Sequence, residues 1–345
     1  MKTGKLVFLL VVVGLAMRSA RACDLCGCYT PQLETMPAMQ SATPNQWWSG
    51  LYGGVAEQFT YFGTLQLDGR EVANPTGQYE NSSITQLFAG YGINDRFALQ
   101  VNLPVIYRDF KRAEGFAIDR GTESGIGDMS LLFRAVAFRY SSGARREFIV
   151  TGKNPVEIDR EADFTMSAVL LAGLKLPTGD TNRLKEEFHE IEIPRAPESG
   201  IHGHDLTLGT GSYDGIFGGI TSLRYHNFFA EASLQFTLRG DGAHQYDFAN
   251  DLTWDTGPGY YLIRNRETVF GLQFVVSGEY KDVDRFRGLP AEDTGITSLF
   301  VGPRLVGSLG HWSAQLDVDL PVLIENTALQ IVPDYRIRGG ISFHF

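Results

Sequence analysis

Tyr335–Phe345 is the stretch that most constrains what this chain can fold into. Its odd positions are Tyr335, Ile337, Gly339, Ile341, Phe343 and Phe345; its even positions are Arg336, Arg338, Gly340, Ser342 and His344. Alternation of this kind places apolar side chains on one face of an extended strand and polar ones on the other. The stretch is as long as a tilted strand needs to be to cross a bilayer, about 9–11 residues. An edge strand of a soluble sandwich also alternates, but it is rarely this long and rarely ends on the last residue of a chain.

The pattern recurs upstream. Phe228, Ala230, Ala232, Leu234, Phe236 and Leu238 oppose Phe229, Glu231, Ser233, Gln235, Thr237 and Arg239. Trp312, Ala314, Leu316, Val318 and Leu320 oppose Ser313, Gln315, Asp317 and Asp319, and Phe270, Leu272, Phe274 and Val276 oppose Gly271, Gln273 and Ser277. In a sandwich the apolar faces interlock in one core. Here the polar faces are bulky and charged, as a wet lumen requires. The sequence therefore predicts an all-β fold, a transmembrane antiparallel up-and-down β-barrel. A chain that stops on an aromatic at the close of such a strand resembles the recognition signal of outer-membrane barrels.

Segments of this type fall at 48–64, 83–93, 96–109, 126–140, 164–177, 213–226, 228–239, 246–264, 267–280, 294–309, 312–325 and 333–345, which makes 12 strands. Tight turns are expected at Asn94-Asp95, His226-Asn227, Asn265-Arg266 and Gly310-His311, and long polar loops at 65–82, 110–125, 178–212 and 281–293. With the start of the barrel in the periplasm, every tight turn falls on the periplasmic side. Residues 141–163 break the rule: they are long and charged where a tight turn is due. Either an insertion lies there or the count shifts by two, which keeps 10 and 14 strands open.

At the other end, Lys2 and Lys5, the apolar run Leu6–Met17 and the small residues of Ala20-Arg21-Ala22 read as a secretory signal peptide over 1–22. The run is short for a bilayer span, and no other stretch approaches the roughly 18 apolar residues of a transmembrane helix. Cleavage before Cys23 leaves 23–47 as a periplasmic, cysteine-containing segment and 48–345 as the barrel. Acylation of Cys23 is the alternative, although Ala20 and Arg21 stand where a lipid-attachment signal has other residues. With 39 glycines and 12% aromatic residues the composition suits one large β domain. A net charge of −10 speaks against a nucleic-acid partner. Outer-membrane lipids and a small-molecule solute are the expected partners.

Three blocks stand out: Gly125-Ile126-Gly127-Asp128 opening a strand, Leu174-Lys175-Leu176-Pro177-Thr178-Gly179-Asp180 ending one, and Leu208-Gly209-Thr210-Gly211-Ser212-Tyr213-Asp214 opening the next. Together they resemble a bacterial outer-membrane family catalogued as the "MetA-pathway of phenol degradation" family, often described as transporters. The resemblance implies a barrel of about this size that passes small compounds, aromatic or hydrophobic ones among them. Read physically, Pro177 cannot donate to a ladder and Gly179-Asp180 favours a turn, so a strand ends there. The loop that follows either folds into the lumen as a constriction or lid or lies disordered on the surface.

Cys23, Cys26 and Cys28 are the only cysteines. Thiolates at this spacing can hold copper or zinc, with a fourth ligand needed for a structural zinc site; a disulfide or an unassigned tether is the alternative. His202 and His204, with His189 upstream, give the long loop either a metal site or ordinary solvated charges. No G-x-S-x-G elbow, H-E-x-x-H helix or phosphate-binding glycine loop is present, so the sequence predicts no enzyme. The residues expected to line a pore are Gln100, Asn102, Arg134, Glu231, Gln235, Arg239, Arg304, Asp317, Asp319, Arg336 and Arg338. The leading expectation is a channel or transporter; the others are a barrel anchoring a metal-binding cysteine tail and a barrel hydrolase.

Overall fold

The computed structural model describes residues 50–345 apart from 143–144, 152–153, 161, 190–192 and 266–267, and over 145–160 the backbone alone. The expected signal peptide, 1–22, and the segment holding Cys23, Cys26 and Cys28 lie outside the described residues. What is described is a closed barrel of 12 antiparallel strands. They are β1 Gly50–Leu67, β2 Tyr79–Gly92, β3 Phe97–Glu114, β4 Ser130–Ser142, β5 Phe164–Lys175 and β6 Asp214–Tyr225. The second half comprises β7 Phe228–Leu238, β8 Asp251–Arg264, β9 Thr268–Lys281, β10 Ile296–Leu309, β11 Trp312–Asn326 and β12 Leu329–His344. Each strand pairs with the next, and β12 closes the circle on β1 from Tyr52↔His344 to Leu67↔Leu329.

The two-residue period decides which side of the wall each side chain takes. Along β9, Val269, Gln273 and Val275 are buried while Phe270, Leu272 and Phe274 are exposed. The same inversion holds around the barrel: Leu99, Val101, Phe133, Leu234, Leu316 and Ile337 point out, and Gln100, Asn102, Arg134, Gln235, Asp317 and Arg336 point in. In water this arrangement would be inside out; in a bilayer the apolar belt meets lipid chains. Among the described residues no helix is long and apolar enough to cross a membrane. Closure gives every strand a paired neighbour on each side, which removes the free outer edges an open sheet would expose to lipid.

Exposed aromatics ring the end where the tight turns lie. Tyr91, Phe97, Tyr140, Tyr225, Phe228, Tyr260 and Trp312 all flank those turns. Phe228 meets Tyr260 edge-on at 4.9 Å between ring centres, and Trp312 lies 4.8 Å from Phe343. Such a girdle suits the headgroup layer, where a ring can be half apolar and half wet. Phe274 lies midway along β9, far from this girdle. Phe274→Arg is expected to lower the stability of the barrel in lipid vesicles by about 2–4 kcal/mol, with little effect in the same substitution at Trp312, as read by urea unfolding.

The structure decides one open sequence expectation and corrects others. Residues 141–163 are an insertion and the count stays at 12: the backbone forms a separate hairpin, Arg145–Thr151 with Asn154–Arg160, at the turn end. The expected loop 110–125 is mostly ordered strand. β3 runs on to Glu114 and pairs with Ala117–Ile126, so Gly125-Ile126 closes a loop hairpin and β4 begins only at Ser130. The expected strand 246–264 divides. Tyr246–Asp247 joins Asp284–Phe286 and Leu289–Ala291 in a small loop sheet, and β8 starts at Asp251.

Candidate functional site

The long loop between β5 and β6 folds inward over the loop end of the barrel. It carries a 3-10 helix, Asn182–Phe188, and a single helical turn, Gly203–Leu206. Ile201 and Leu206, both fully buried, pack on Phe62 of β1, Phe110 of β3 and Ile331 of β12. Leu208 packs on Ile84 and Ile106, and Leu184 on Tyr246 and Phe248. Gln78 reads the loop's backbone, donating to the Glu198 carbonyl at 2.9 Å and accepting from the Gly200 amide at 3.1 Å. Apolar burial of this kind, roughly 1.5–3 kcal/mol for each large side chain, is what turns an inserted loop into a lid.

The three sequence blocks converge on the base of that lid. The Lys175 ammonium lies 2.7 Å from both Asp128 and Asp214, and it also donates to the Thr210 hydroxyl. Asp128 further accepts from the Gly179 and Thr210 amides, each at 2.9 Å. Thr178 donates to the Gly127 carbonyl at 2.9 Å and accepts from the Met129 amide. Gly179 and Gly209 touch back to back: a Cβ on Gly179 would fall 2.7 Å from the Gly209 Cα. The glycines are there for this close approach, and the Asp and Lys for the buried charges between strands. Arg239, expected in the lumen, lies just beyond β7 and completes the anchor by pairing with Asp214 at 2.9 Å and with Asp251.

A second cluster locks the lid to its neighbours. The His204 ring, 1% exposed, meets Glu187 at 3.1 Å and Asp205 at 3.4 Å, and stacks on Tyr246. His202 meets Asp293 at 3.2 Å in the loop between β9 and β10, and the Tyr246 hydroxyl donates to Asp284 at 2.8 Å. Burial alone pushes the His204 pKa down, but the Asp205 and Glu187 carboxylates outweigh it and hold the value well above the usual imidazole range. Among the described residues no group of His, Cys, Asp and Glu is arranged to hold a metal, and His202 and His204 are paired with carboxylates rather than solvated. His189 is exposed.

Below the lid the inward side chains form two chemically distinct walls. On β1 to β4, Tyr52 donates to Gln100, Gln100 to Asn102 and Asn102 to Ser130, with Arg134 donating to Gln100. On β8 to β12 a charge ladder spans strands that are not neighbours. Arg336 of β12 pairs with Glu279 of β9 and, at 3.0 Å, with Asp319. Arg338 meets Asp319 at 2.9 Å and Asp317 at 3.9 Å. Arg304 of β10 meets Asp317 at 2.7 Å and Asp255 of β8 at 3.2 Å. Glu231 and Gln235 of β7 are buried on the inner face between the two walls.

The wall has a slot, a stretch where two neighbouring strands are not paired with each other. β11 and β12 are joined by the tight turn Thr327-Ala328, yet their ladder ends at Asp319↔Arg336. Leu320–Asn326 stays paired to β10 and Leu329–Tyr335 to β1. Pro321 and Pro333 cannot donate to a ladder, and register shifts beside each move the strands out of step. Leu320, Val322 and Leu323 are exposed on the outer lip; Ile324, Val332 and Ile296 pack on the inner one. The Ile331 amide, freed from β11, donates to the lid carbonyl of Gly200 at 2.9 Å. The lid thus rests against the inside of the slot.

No family model matches the chain, and no curated protein matches it in sequence. Among solved structures it is similar to an outer-membrane channel from Pseudomonas putida F1, with a TM-score of 0.56 and 15% identity over 86% of this chain and 96% of that one. The translocator domain of the autotransporter NalP from Neisseria meningitidis gives a TM-score of 0.40 and 12% identity over 89% and 92%. The P. putida toluene transporter TodX gives 0.34 and 11% over 90% and 92%. The first likeness is one of fold, that of an outer-membrane β-barrel; the other two are too distant to add to it.

Proposed function

We propose that this protein is an outer-membrane conduit for small apolar solutes, aromatic compounds among them, and that the solute crosses the wall between β11 and β12. The observation that carries the reading is the slot: two strands joined by a tight turn that leave their facing edges unpaired beyond Asp319 and Arg336. In lipid an unpaired backbone edge costs several kcal/mol per group, so it persists only where something else occupies it. Its lips are apolar, whereas the axial path meets the ladder of buried charges, which an apolar solute can neither solvate nor displace. Lipid on the outside and the lid on the inside make the slot the shorter path for such a molecule. In this reading residues 1–22 direct export, and Arg134, Glu231, Arg304, Asp317, Asp319, Arg336 and Arg338 line the lumen without forming the route. The similar fold of a known outer-membrane channel supports the conduit class. No observation among the described residues favours the metal-tail or hydrolase readings.

Ile324→Cys with Val332→Cys, in a chain whose Cys23, Cys26 and Cys28 are replaced by Ser, tests the route. Bridging the two thiols with a short bifunctional reagent is expected to reduce uptake of labelled toluene by cells to the level of a strain without the barrel. A bridged barrel, verified by mass, that still takes up toluene at the unbridged rate would show that the slot is not the path.

A further inference from the structure

We infer that the ladder from Glu279 to Asp255 is an ion seal, closing the axial lumen to charged solutes whether or not the lid is in place. The inference rests on the conduit reading only in taking the cargo to be uncharged. Adjacent strands lie about 4.8 Å apart, so a wall-lining pair need only reach its neighbour. Arg336 on β12 instead reaches Glu279 on β9, passing over β10 and β11, and its guanidinium lies 4.6 Å from the centre of the Phe300 ring beneath it. Arg304 on β10 likewise passes over β9 to Asp255 on β8 and brings Gln273 in at 3.5 Å. These are struts that stand off the wall into the lumen, one passing over two strands and the other over one. Arg338, between Asp317 and Asp319, ties the two together.

A barrel of this strand number stands between filled 8-stranded and open 16-stranded types, so a few long side chains suffice to close it. The groups on the ladder are buried to a few percent of their surface, with Arg336 and Asp317 at 2% and 1%. A permeating ion finds every opposite charge already engaged, and must break a buried pair to take its place. The wall on β1 to β4 offers amide dipoles and the Arg134 cation, which already donates to Gln100. Backbone ladders already join β8 to β9, β9 to β10 and β10 to β11, so the pairs that skip a strand are not needed to hold those neighbours together.

Two measurements separate the ladder from the lid. Replacing 183–206 by a short Gly-Ser linker keeps both anchor blocks and removes the lid. In planar bilayers this lidless barrel is expected to show no resolved conductance steps. Adding Glu279→Ala, Arg336→Ala, Asp255→Ala and Arg304→Ala, which removes both struts as pairs, is expected to raise conductance on the order of tenfold. Open steps in the lidless barrel with its ladder intact, or no change on removing the struts, would overturn the seal. Should the four-fold variant not fold, labelling of the intact ladder decides. Ser342 lies on the inner face towards the turn end, beyond Arg338. In cells that lack general porins and bear the lidless, cysteine-free chain with Ser342→Cys, an external cationic thiol reagent is expected to leave this site unlabelled. Rapid labelling would refute the seal. Failure of the seal leaves toluene uptake through the slot untouched, and failure of the slot leaves conductance untouched.

Discussion

Lys175→Met is expected to destabilise the loop end of the barrel by about 3–5 kcal/mol, the cost of leaving buried carboxylates without their cation. Lys175 holds Asp128 and Asp214 together at 2.7 Å each, and its side chain is only 2% exposed. Without it, Asp214 keeps Arg239, but Asp128 keeps only neutral donors: the Gly179 and Thr210 amides and the Thr210 hydroxyl. The lid base should then open, and a protease added outside should cut within 183–206 far sooner than in the parent. Asp128→Asn alone leaves the cation paired with Asp214 and is expected to cost less. The double variant Lys175→Met/Asp128→Asn should be more stable than the sum of the two single effects predicts, because the orphaned charge is gone. Strictly additive effects would mean that the three blocks do not act as one anchor.

Alkaline pH is expected to release the lid. His204 has its pKa raised in the folded protein, so the stabilisation from its cationic form is complete below the unfolded value, about 6.5, and is lost as pH climbs through the folded value. Tyr246 acts in the same direction. Burial and the neighbouring Asp284 and Glu187 carboxylates raise its pKa well above the ordinary phenol value, so its neutral form favours the closed lid until strongly alkaline pH. The charged groups around the two rings are Glu187, Asp205, Asp293 and Asp284, with His202 and Lys281 as the neighbouring bases. Loss of the imidazolium leaves an excess of buried carboxylates facing one another. Protease cleavage of the lid, measured from pH 6 to pH 10, should accelerate several-fold with rising pH. In His204→Gln the cleavage should be fast already at pH 6 and nearly flat until Tyr246 titrates. A parent lid that loosens on acidification instead would contradict the assignment.

The wall was legible in the sequence because period-two alternation is a direct record of which side of a barrel each residue takes. The segment predicted at 228–239 is β7 at Phe228–Leu238, and that predicted at 312–325 is β11 at Trp312–Asn326. Turns with Asn or Gly fixed the remaining edges, as at Asn94, whose side chain accepts from the Arg96 and Phe97 amides. The lid was legible only as one of two alternatives for the loop after Pro177, and its contacts were not. Ile201 and Leu206 follow no period, and their partners Phe62, Phe110 and Ile331 lie on three distant strands. The resemblance blocks drew attention to Asp128, Lys175 and Asp214, but only the barrel's closure shows that these residues meet one another. The slot did leave a trace, in Pro321 and Pro333, two residues unable to donate, each within a run of apolar residues that breaks the alternation. Arg239 alternates with the lumen residues before it, yet the strand ends at Leu238 and its side chain turns to the anchor. Alternation assigns a side of the wall and says nothing of which loops come to cover it.

The barrel proposed here passes uncharged solutes through its wall and not ions along its axis. Two fluxes compared in one vesicle preparation test this: entry of labelled toluene and efflux of trapped chloride, with and without the purified barrel. Toluene entry is expected to be faster with the barrel, and chloride efflux no faster than in empty vesicles. Chloride efflux that rises with the amount of barrel, with toluene entry unchanged, would contradict it.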